Sequence, residues 1–279
     1  MLCGRGRQEM CHEKRSSDAE ETTVTEPDGP QDAGRVRSVK SADRTIALLE
    51  YLSAAESPRT LRDVTGDLGI PRASAYALLM TLVRTGWVEQ DQTGSGFHLG
   101  IRALRAGAAY VEHDDVVRRA QPVMNDLSGK LGETIHLARL DGHEIVYLAT
   151  CPSRHSLAVV SKPGRRLPCW STGLGKAILA HRPWPEVDAL LPGTLTARTP
   201  HSITSRPRLR EELEAVAHRG HAVDEQESTL GLRCFAVPLR FGGAVNEALS
   251  CSVPLVRLDA DREQVILDAL RHSRDRITG

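Results

Sequence analysis

The stretch Thr60–Leu99, TLRDVTGDLGIPRASAYALLMTLVRTGWVEQDQTGSGFHL, decides how the N-terminal part of this chain folds. Thr60 stands where an N-cap hydroxyl is wanted, and Asp63, three residues on, completes a capping box. Leu61, Val64 and Leu68 follow at helical spacing, and Gly69 supplies a left-handed stop. Pro71 opens a further helix at a position where its missing N–H costs nothing. Ala75, Leu78, Leu79 and Leu82 form the inward stripe of that helix, and Arg72, Ala73, Tyr76, Ala77, Met80 and Arg84 lie toward the outside. Trp87 to Gln90 and Phe97 to Leu99 flank the turn DQTGSG and read as a hairpin. Short helix, glycine turn, helix and hairpin is the order of a winged helix-turn-helix.

Outward from this stretch toward the N-terminus, Val39, Ala42, Ile46, Leu49 and Leu52 recur at helical steps and predict a first helix, so the module spans residues 38–100. Residues 1–37 are rich in Arg, Glu, Asp, Thr, Gly and Pro and too poor in large apolar side chains to offset the entropy of ordering. They read as a disordered arm. Lys+Arg and Asp+Glu both total 36, so no global charge advertises nucleic acid or a membrane. DNA binding has to rest on local placement. Within residues 38–100 six Lys/Arg face seven Asp/Glu, yet Pro71 to Thr85 carries Arg72 and Arg84 and no acid. That polarity is what phosphate contact requires.

Toward the C-terminus, residues 101–128 read as linker helices, with Ile101, Leu104, Ala108 and Val111 before a break near His113–Asp115. Val116, Val117, Ala120, Val123, Met124 and Leu127 follow it. Such a connector suits a contact between copies, or packing on its own domain. Residues 129–279 then change character. Strand-like runs at Glu133–Leu140, Glu144–Cys151 and Leu157–Ser161 lead into STGLGKAIL at Ser171–Leu179. Helices are expected at Trp184–Leu191 and Leu209–His218. The stretch DEQESTLGLRCFAVPL, Asp224–Leu239, runs from an acidic turn through Gly231 into a strand, and Pro238 marks an edge or bulge at its far end. A strand at Ala248–Leu255 and a last amphipathic helix complete an α+β domain, an antiparallel sheet covered by helices. The acid, the glycine and Cys234 fit either the mouth of a ligand-binding strand or a loop leading into a core strand.

Taken together, the winged module, LPCWSTGLGKAILA at Leu167–Ala180, and Asp224–Leu239 with its Gly231-Leu232-Arg233-Cys234 resemble the IclR (isocitrate lyase regulator) family of bacterial transcription factors. The resemblance covers Val39 to Ile277. It implies a homodimer or tetramer on palindromic double-stranded operator DNA, and a GAF-like C-terminal domain that binds a small effector, a carboxylate or aromatic acid. The effector contacts it implies are Gly173, Leu174, Asp224, Cys234, Ser250 and Ser252. Amides at a helix start suit an anion, and Ser250 and Ser252 share one strand face by the two-residue period. On residue type alone, Cys234 reads as a core thiol rather than a ligand contact, and the two serines fit solvent-facing positions equally well. For DNA the candidates are Arg72, Ser74 and Tyr76 on bases, and Thr60, Thr93 and Ser95 on phosphates. Two departures stand out. Leu174 occupies a position that is commonly small in the family, and Ala77 one that is often arginine.

The expected protein is thus a cytoplasmic, DNA-binding repressor with no cofactor, no metal site and no catalytic residue. Its six cysteines, Cys3, Cys11, Cys151, Cys169, Cys234 and Cys251, lack CxxC spacing and suit reduced thiols. No apolar run approaches the roughly 20 residues that span a bilayer, and no secretory signal is visible at the N-terminus. Two alternatives remain open at this point. One is an enzyme with Cys234 as nucleophile and His221 as base, although no strand-to-helix elbow surrounds the cysteine. The other is a redox- or metal-responsive regulator that uses Cys151, Cys169, Cys234 and Cys251.

Overall fold

The computed structural model describes residues 38–156 and 161–279. The arm expected over residues 1–37, and all but the last residue of the strand expected at 157–161, lie outside the described residues. The first unit is built from α1 (Lys40–Ser53), β1 (Arg59–Thr60), α2 (Leu61–Leu68), α3 (Arg72–Arg84), β2 (Val88–Gln90) and β3 (Gly96–Leu99). Its small antiparallel sheet has the order β1-β3-β2. The capping box forms as the sequence predicts, and Gly69 takes φ 60° in the left-handed region that ends α2. Pro71 is the residue that precedes α3, one position earlier than expected.

Leu48, Leu52, Val64, Ile70, Ala75, Leu79, Leu82, Val88 and Phe97 form the core of this unit. Here α1 departs from the expected face. Leu48 and Leu52 are its buried residues, whereas Val39 and Ile46 are exposed. Both buried residues lie in the C-terminal half of the helix, and the apolar side chains of its first turns stay at the surface.

Next come α4 (Ile101–His113) and α5 (Asp115–Leu131), separated at Asp114, whose carboxylate accepts the Val116 and Val117 amides at 3.0 Å. None of the residues of α4 is buried, and Leu104 is 67% exposed. Arg139 ties this junction to the sheet through Asp114 at 2.6 Å, Tyr110 at 2.6 Å and Glu247 at 2.7 Å.

The C-terminal unit continues with β4 (Thr134–Asp141), β5 (Glu144–Cys151), β6 (Arg166–Pro168), a 3-10 turn at Cys169–Ser171, α6 (Gly173–Leu179), α7 (Trp184–Leu190) and α8 (Arg206–Arg219). It ends with β7 (Ala222–Glu225), β8 (Leu232–Leu239), β9 (Glu247–Pro254) and α9 (Ala260–Thr278). The six strands form one antiparallel sheet in the order β6-β5-β4-β9-β8-β7. The stretch Asp224–Leu239 is therefore two strands rather than one, because Asp224 pairs with Cys234 across the turn that joins them. Pairing between β7 and β8 stops at Ala222–Ala236, so Pro238 lies beyond the edge strand and is bonded on the β9 side alone. That is where a residue without an N–H is tolerated.

The two-residue period sorts the sheet into unlike faces. Ile135, Leu137, Phe235, Val237, Leu239, Leu249, Cys251 and Val253 pack with α5 and α9 into an apolar core. The opposite face, under α6, carries Ala138, Ala222, Ala236 and Ala248 and a set of polar side chains.

Candidate functional site

Strand register brings those polar side chains into two rows. Thr134 pairs with Ser252, Ser252 with Cys234, and Cys234 with Asp224, which gives one row across four strands. Two residues along the strands, Thr150 pairs with His136, His136 with Ser250, and Ser250 with Ala236. Thr134, His136, Asp224, Ser250 and Ser252 are all buried, and Cys234 is half-buried. Large apolar side chains at these positions would fill the layer beneath α6. The side chains that stand there are small or polar instead.

The start of α6 closes over the first row. A Cβ on Gly173 would stand 3.2 Å from the Cys234 carbonyl oxygen and 3.5 Å from both the Asp224 nitrogen and the Ala236 Cβ. Gly175 is more constrained, since its Cβ would lie 2.1 Å from the Cys169 carbonyl oxygen. The two glycines therefore let the helix lie directly on β8 and on the preceding 3-10 turn. Thr172 caps the helix by accepting the Gly175 amide at 3.1 Å, so the Gly173 and Leu174 amides are among those at the helix start that have no partner within the helix. Leu174 itself is buried in the apolar cluster below α6. Its side chain adds to the wall of the layer rather than to its polar groups.

Asp224 has a second commitment. Its carboxylate accepts the Glu227 amide at 2.7 Å, the Ser228 amide at 3.2 Å and the Ser228 hydroxyl. Burial raises its pKa, opposed by these hydrogen bonds and by the charge of Lys176. The residue thus holds the β7–β8 turn while presenting its position at the end of the row. Lys176, buried in α6, is ion-paired with Glu227 and lies 3.4 Å from Glu212. Cys234 Sγ lies 3.1 Å from Ser252 Oγ. Burial, then the charge of Asp224, pushes its thiol well above the ordinary cysteine range.

On the first unit, Arg72, Ala73, Tyr76 and Ala77 are exposed along one side of α3, and Ser74 is half-buried beside them. Thr93 and Ser95 sit at the exposed tip of the hairpin with hydroxyls 2.6 Å apart. The Asp91 carboxylate organises that tip, accepting the Thr93 hydroxyl at 2.8 Å and the Ser95 amide at 3.2 Å. Thr60 has a role within its own helix. Its hydroxyl donates to Asp63 Oδ2 at 2.8 Å and accepts the Asp63 amide at 3.3 Å, so a phosphate would compete with the capping box for its proton.

Sequence reasoning missed two groups. Lys40, Ser41 and Arg44 of α1 join Ser74, Ala77, Leu78 and Thr81 of α3 around a surface hollow of about 420 Å³. Cations of α1 therefore flank the space that the small Ala77 leaves. Their four-residue spacing was visible, but not which helix they face. Thr134 and His136 were missed because only the pairing of β4 with β9 reveals that they share a face with Ser250 and Ser252.

The alternative chemistries find no support in this geometry. Burial raises the thiols of Cys151, Cys169 and Cys251 as well, Cys169 to about 12, the reverse of what a reactive or sensing cysteine needs. The His221 ring bonds to the Arg219 carbonyl at 3.2 Å. Among the described residues no group of three or more His, Cys, Asp or Glu is arranged to hold a metal, and no helix is long and apolar enough to cross a membrane.

A winged helix-turn-helix joined through linker helices to a separate sheet domain with a polar inner face defines a class, the two-domain transcriptional regulators. Comparison with known proteins narrows the class. The profile of the IclR helix-turn-helix domain matches residues 41–92, and that of the bacterial transcriptional regulator IclR C-terminal domain matches residues 108–278. The HTH-type transcriptional regulator KdgR of Escherichia coli is 33% identical over 244 residues, 86% of this chain and 92% of that protein. BhcR, an HTH-type transcriptional regulator of Paracoccus denitrificans, is 31% identical over 87% of this chain and 86% of its own length. Among solved structures, a transcriptional regulator from Rhodococcus sp. RHA1 aligns with a TM-score of 0.72 at 32% identity, covering 86% of this chain and 97% of the other. An IclR homologue from Microbacterium hydrocarbonoxydans, complexed with 4-hydroxybenzoate, shares the fold with a TM-score of 0.70 at 22% identity over 85% of this chain and 97% of its own. The chain belongs to the IclR family of bacterial transcriptional regulators, which are not enzymes.

Proposed function

We propose that this chain is a repressor whose operator affinity is set by a small carboxylic acid bound between the start of α6 and the polar sheet face. The observation that carries the reading is the row Thr134–Ser252–Cys234–Asp224 with the Gly173 backbone packed against it. Hydroxyls and amides converge there in a layer that is otherwise apolar, and such convergence suits an anionic head group. Ser252 and the Gly173 and Leu174 amides act as donors to the carboxylate, Ser250 stands in the adjoining row, and Cys234 and Asp224 bound the site on the β7 side.

On the DNA side, α3 lies in the major groove with Arg72, Ser74 and Tyr76 toward base edges, while Lys40, Arg44 and the hairpin tip at Thr93 and Ser95 meet phosphates. A second copy covers the exposed apolar side chains of α1 and α4, including Val39, Ile46, Ile101 and Leu104, and its twofold symmetry matches a palindromic operator.

Thermal denaturation across a panel of small carboxylates tests the pocket. At least one acid raises the melting temperature of the wild type, and Ser252→Ala removes most of that rise without changing the melting temperature of the free protein by more than a few degrees. An equal rise in the two proteins would place the binding site elsewhere.

A further inference from the structure

His136 occupies the second polar row, between Ser250 on β9 and Thr150 on β5. It is only 1% exposed. Its Nδ1 lies 3.1 Å from Thr150 Oγ1, and its ring meets Tyr147 edge-on with centroids 4.9 Å apart. The other ring nitrogen, Nε2, is buried and has no hydrogen-bond partner among the described residues. A buried polar atom left unpaired opposes folding, and an apolar side chain of similar size would fill the same position without that cost. A ligand atom that completes the bond gives the histidine its reason.

The ring is neutral. Burial, and then the positive charge of Arg165, pushes its pKa down to about 3. A neutral imidazole offers one hydrogen bond without attracting a second carboxylate by charge. The Thr150 hydroxyl can donate to Nδ1 or accept from it, so Nε2 presents either a proton or a lone pair. A hydroxyl complements both tautomers, and an oxo oxygen complements the protonated nitrogen. Two residues along a strand separate the rows, a span of about 7 Å.

We infer that His136 determines effector specificity by hydrogen-bonding, through Nε2, to a hydroxyl or oxo oxygen of an acid whose carboxylate lies on the row of Ser252 and Cys234. The inference rests on the pocket proposed above and adds its ligand class. The effector is a hydroxy or oxo acid long enough to place that oxygen about 7 Å from its carboxylate, rather than an unsubstituted acid.

Calorimetric titration of the full chain with matched pairs tests it, using 4-hydroxybenzoate against benzoate and 5-oxohexanoate against hexanoate. In the wild type, the oxygenated member of at least one pair binds about tenfold more tightly than its partner, the worth of one hydrogen bond. His136→Leu abolishes the preference and leaves the unsubstituted acid within twofold of its wild-type affinity. His136→Gln, whose side-chain amide reaches the Nε2 position, restores the preference, and Ser252→Ala weakens both members of the pair alike. A preference that survives His136→Leu overturns the inference, as does an equal loss for both members in that variant. In either case the Ser252→Ala effect still upholds the pocket. If none of the four acids binds the wild type, the inference is overturned together with the carboxylate pocket.

Discussion

A side chain at position 175 would collide with the Cys169 carbonyl oxygen, and because the neighbour is backbone of a 3-10 turn rather than a flexible side chain, it cannot move aside. Gly175→Ala therefore lowers unfolding free energy by about 3 kcal/mol, at or above the upper end of ordinary overpacking; urea denaturation of the two proteins measures the difference. His136 makes a prediction with a defined sign. In the unfolded chain it titrates near 6.5 and in the folded chain near 3. Below pH 6.5 the unfolded state binds a proton that the folded state refuses, so the contribution is intact above pH 6.5 and is lost as pH falls toward 3. Between pH 7 and 5 the loss is on the order of 2 kcal/mol. The raised pKa values of Asp224 and Glu227 act in the opposite sense. Comparison with His136→Gln isolates the histidine, and that variant loses roughly 2 kcal/mol less over the same pH interval. An identical pH dependence in the two proteins would contradict the placement of His136. At this scale Ser250 and Ser252 were legible, because a strand of known direction puts alternate residues on one face. His136 was not, because its position on the site depends on how β4 registers with β9, which the chain in one dimension does not display.

Among the elements, the winged unit was legible because its signals are local. The capping box, the left-handed Gly69 and the hairpin turn each arise within a few residues of one another. The inward face of α1 was not legible, since helical period alone marks an apolar stripe without saying what covers it. Val39 and Ile46 belong to the stripe and yet are exposed. Thr60 and Arg44 separate two roles that sequence alone assigns poorly. Thr60→Ala removes a side-chain cap and costs about 1 kcal/mol of stability, with the salt dependence of DNA binding unchanged. Arg44→Ala leaves stability within about 0.5 kcal/mol and reduces the slope of log affinity against log salt by about 0.9, the value for one phosphate contact. Thermal denaturation and salt-dependent DNA titrations of the two variants distinguish these roles, and a reduced slope for Thr60→Ala would restore it as a phosphate contact.

In the molecule as a whole, the six-stranded sheet and α3 lie in separate units, and the connection between them runs through α4 and α5. Arg139 holds the α4–α5 junction to β4 and β9, the strands that carry His136 and Ser252. A shift of the sheet on ligand binding would therefore reach the linker directly, and two-domain regulators couple their sites by about 1–3 kcal/mol. The fold class was legible because helices and strands each carry their own hydrophobic period. The exposure of Val39, Ile46, Ile101 and Leu104 was not, because exposed apolar residues look the same in sequence as core ones. The central claim is that the chain binds operator DNA and that a small acid changes that affinity. Fluorescence anisotropy of a labelled duplex from the chain's own promoter region, titrated with protein at several salt concentrations, tests it most directly. The expected result is tight binding that saturates at a multiple of two chains per duplex, weakens linearly in log salt, and shifts on the order of 5- to 150-fold with a bound carboxylate. Binding to the promoter duplex no stronger than to an unrelated duplex at low salt would contradict it.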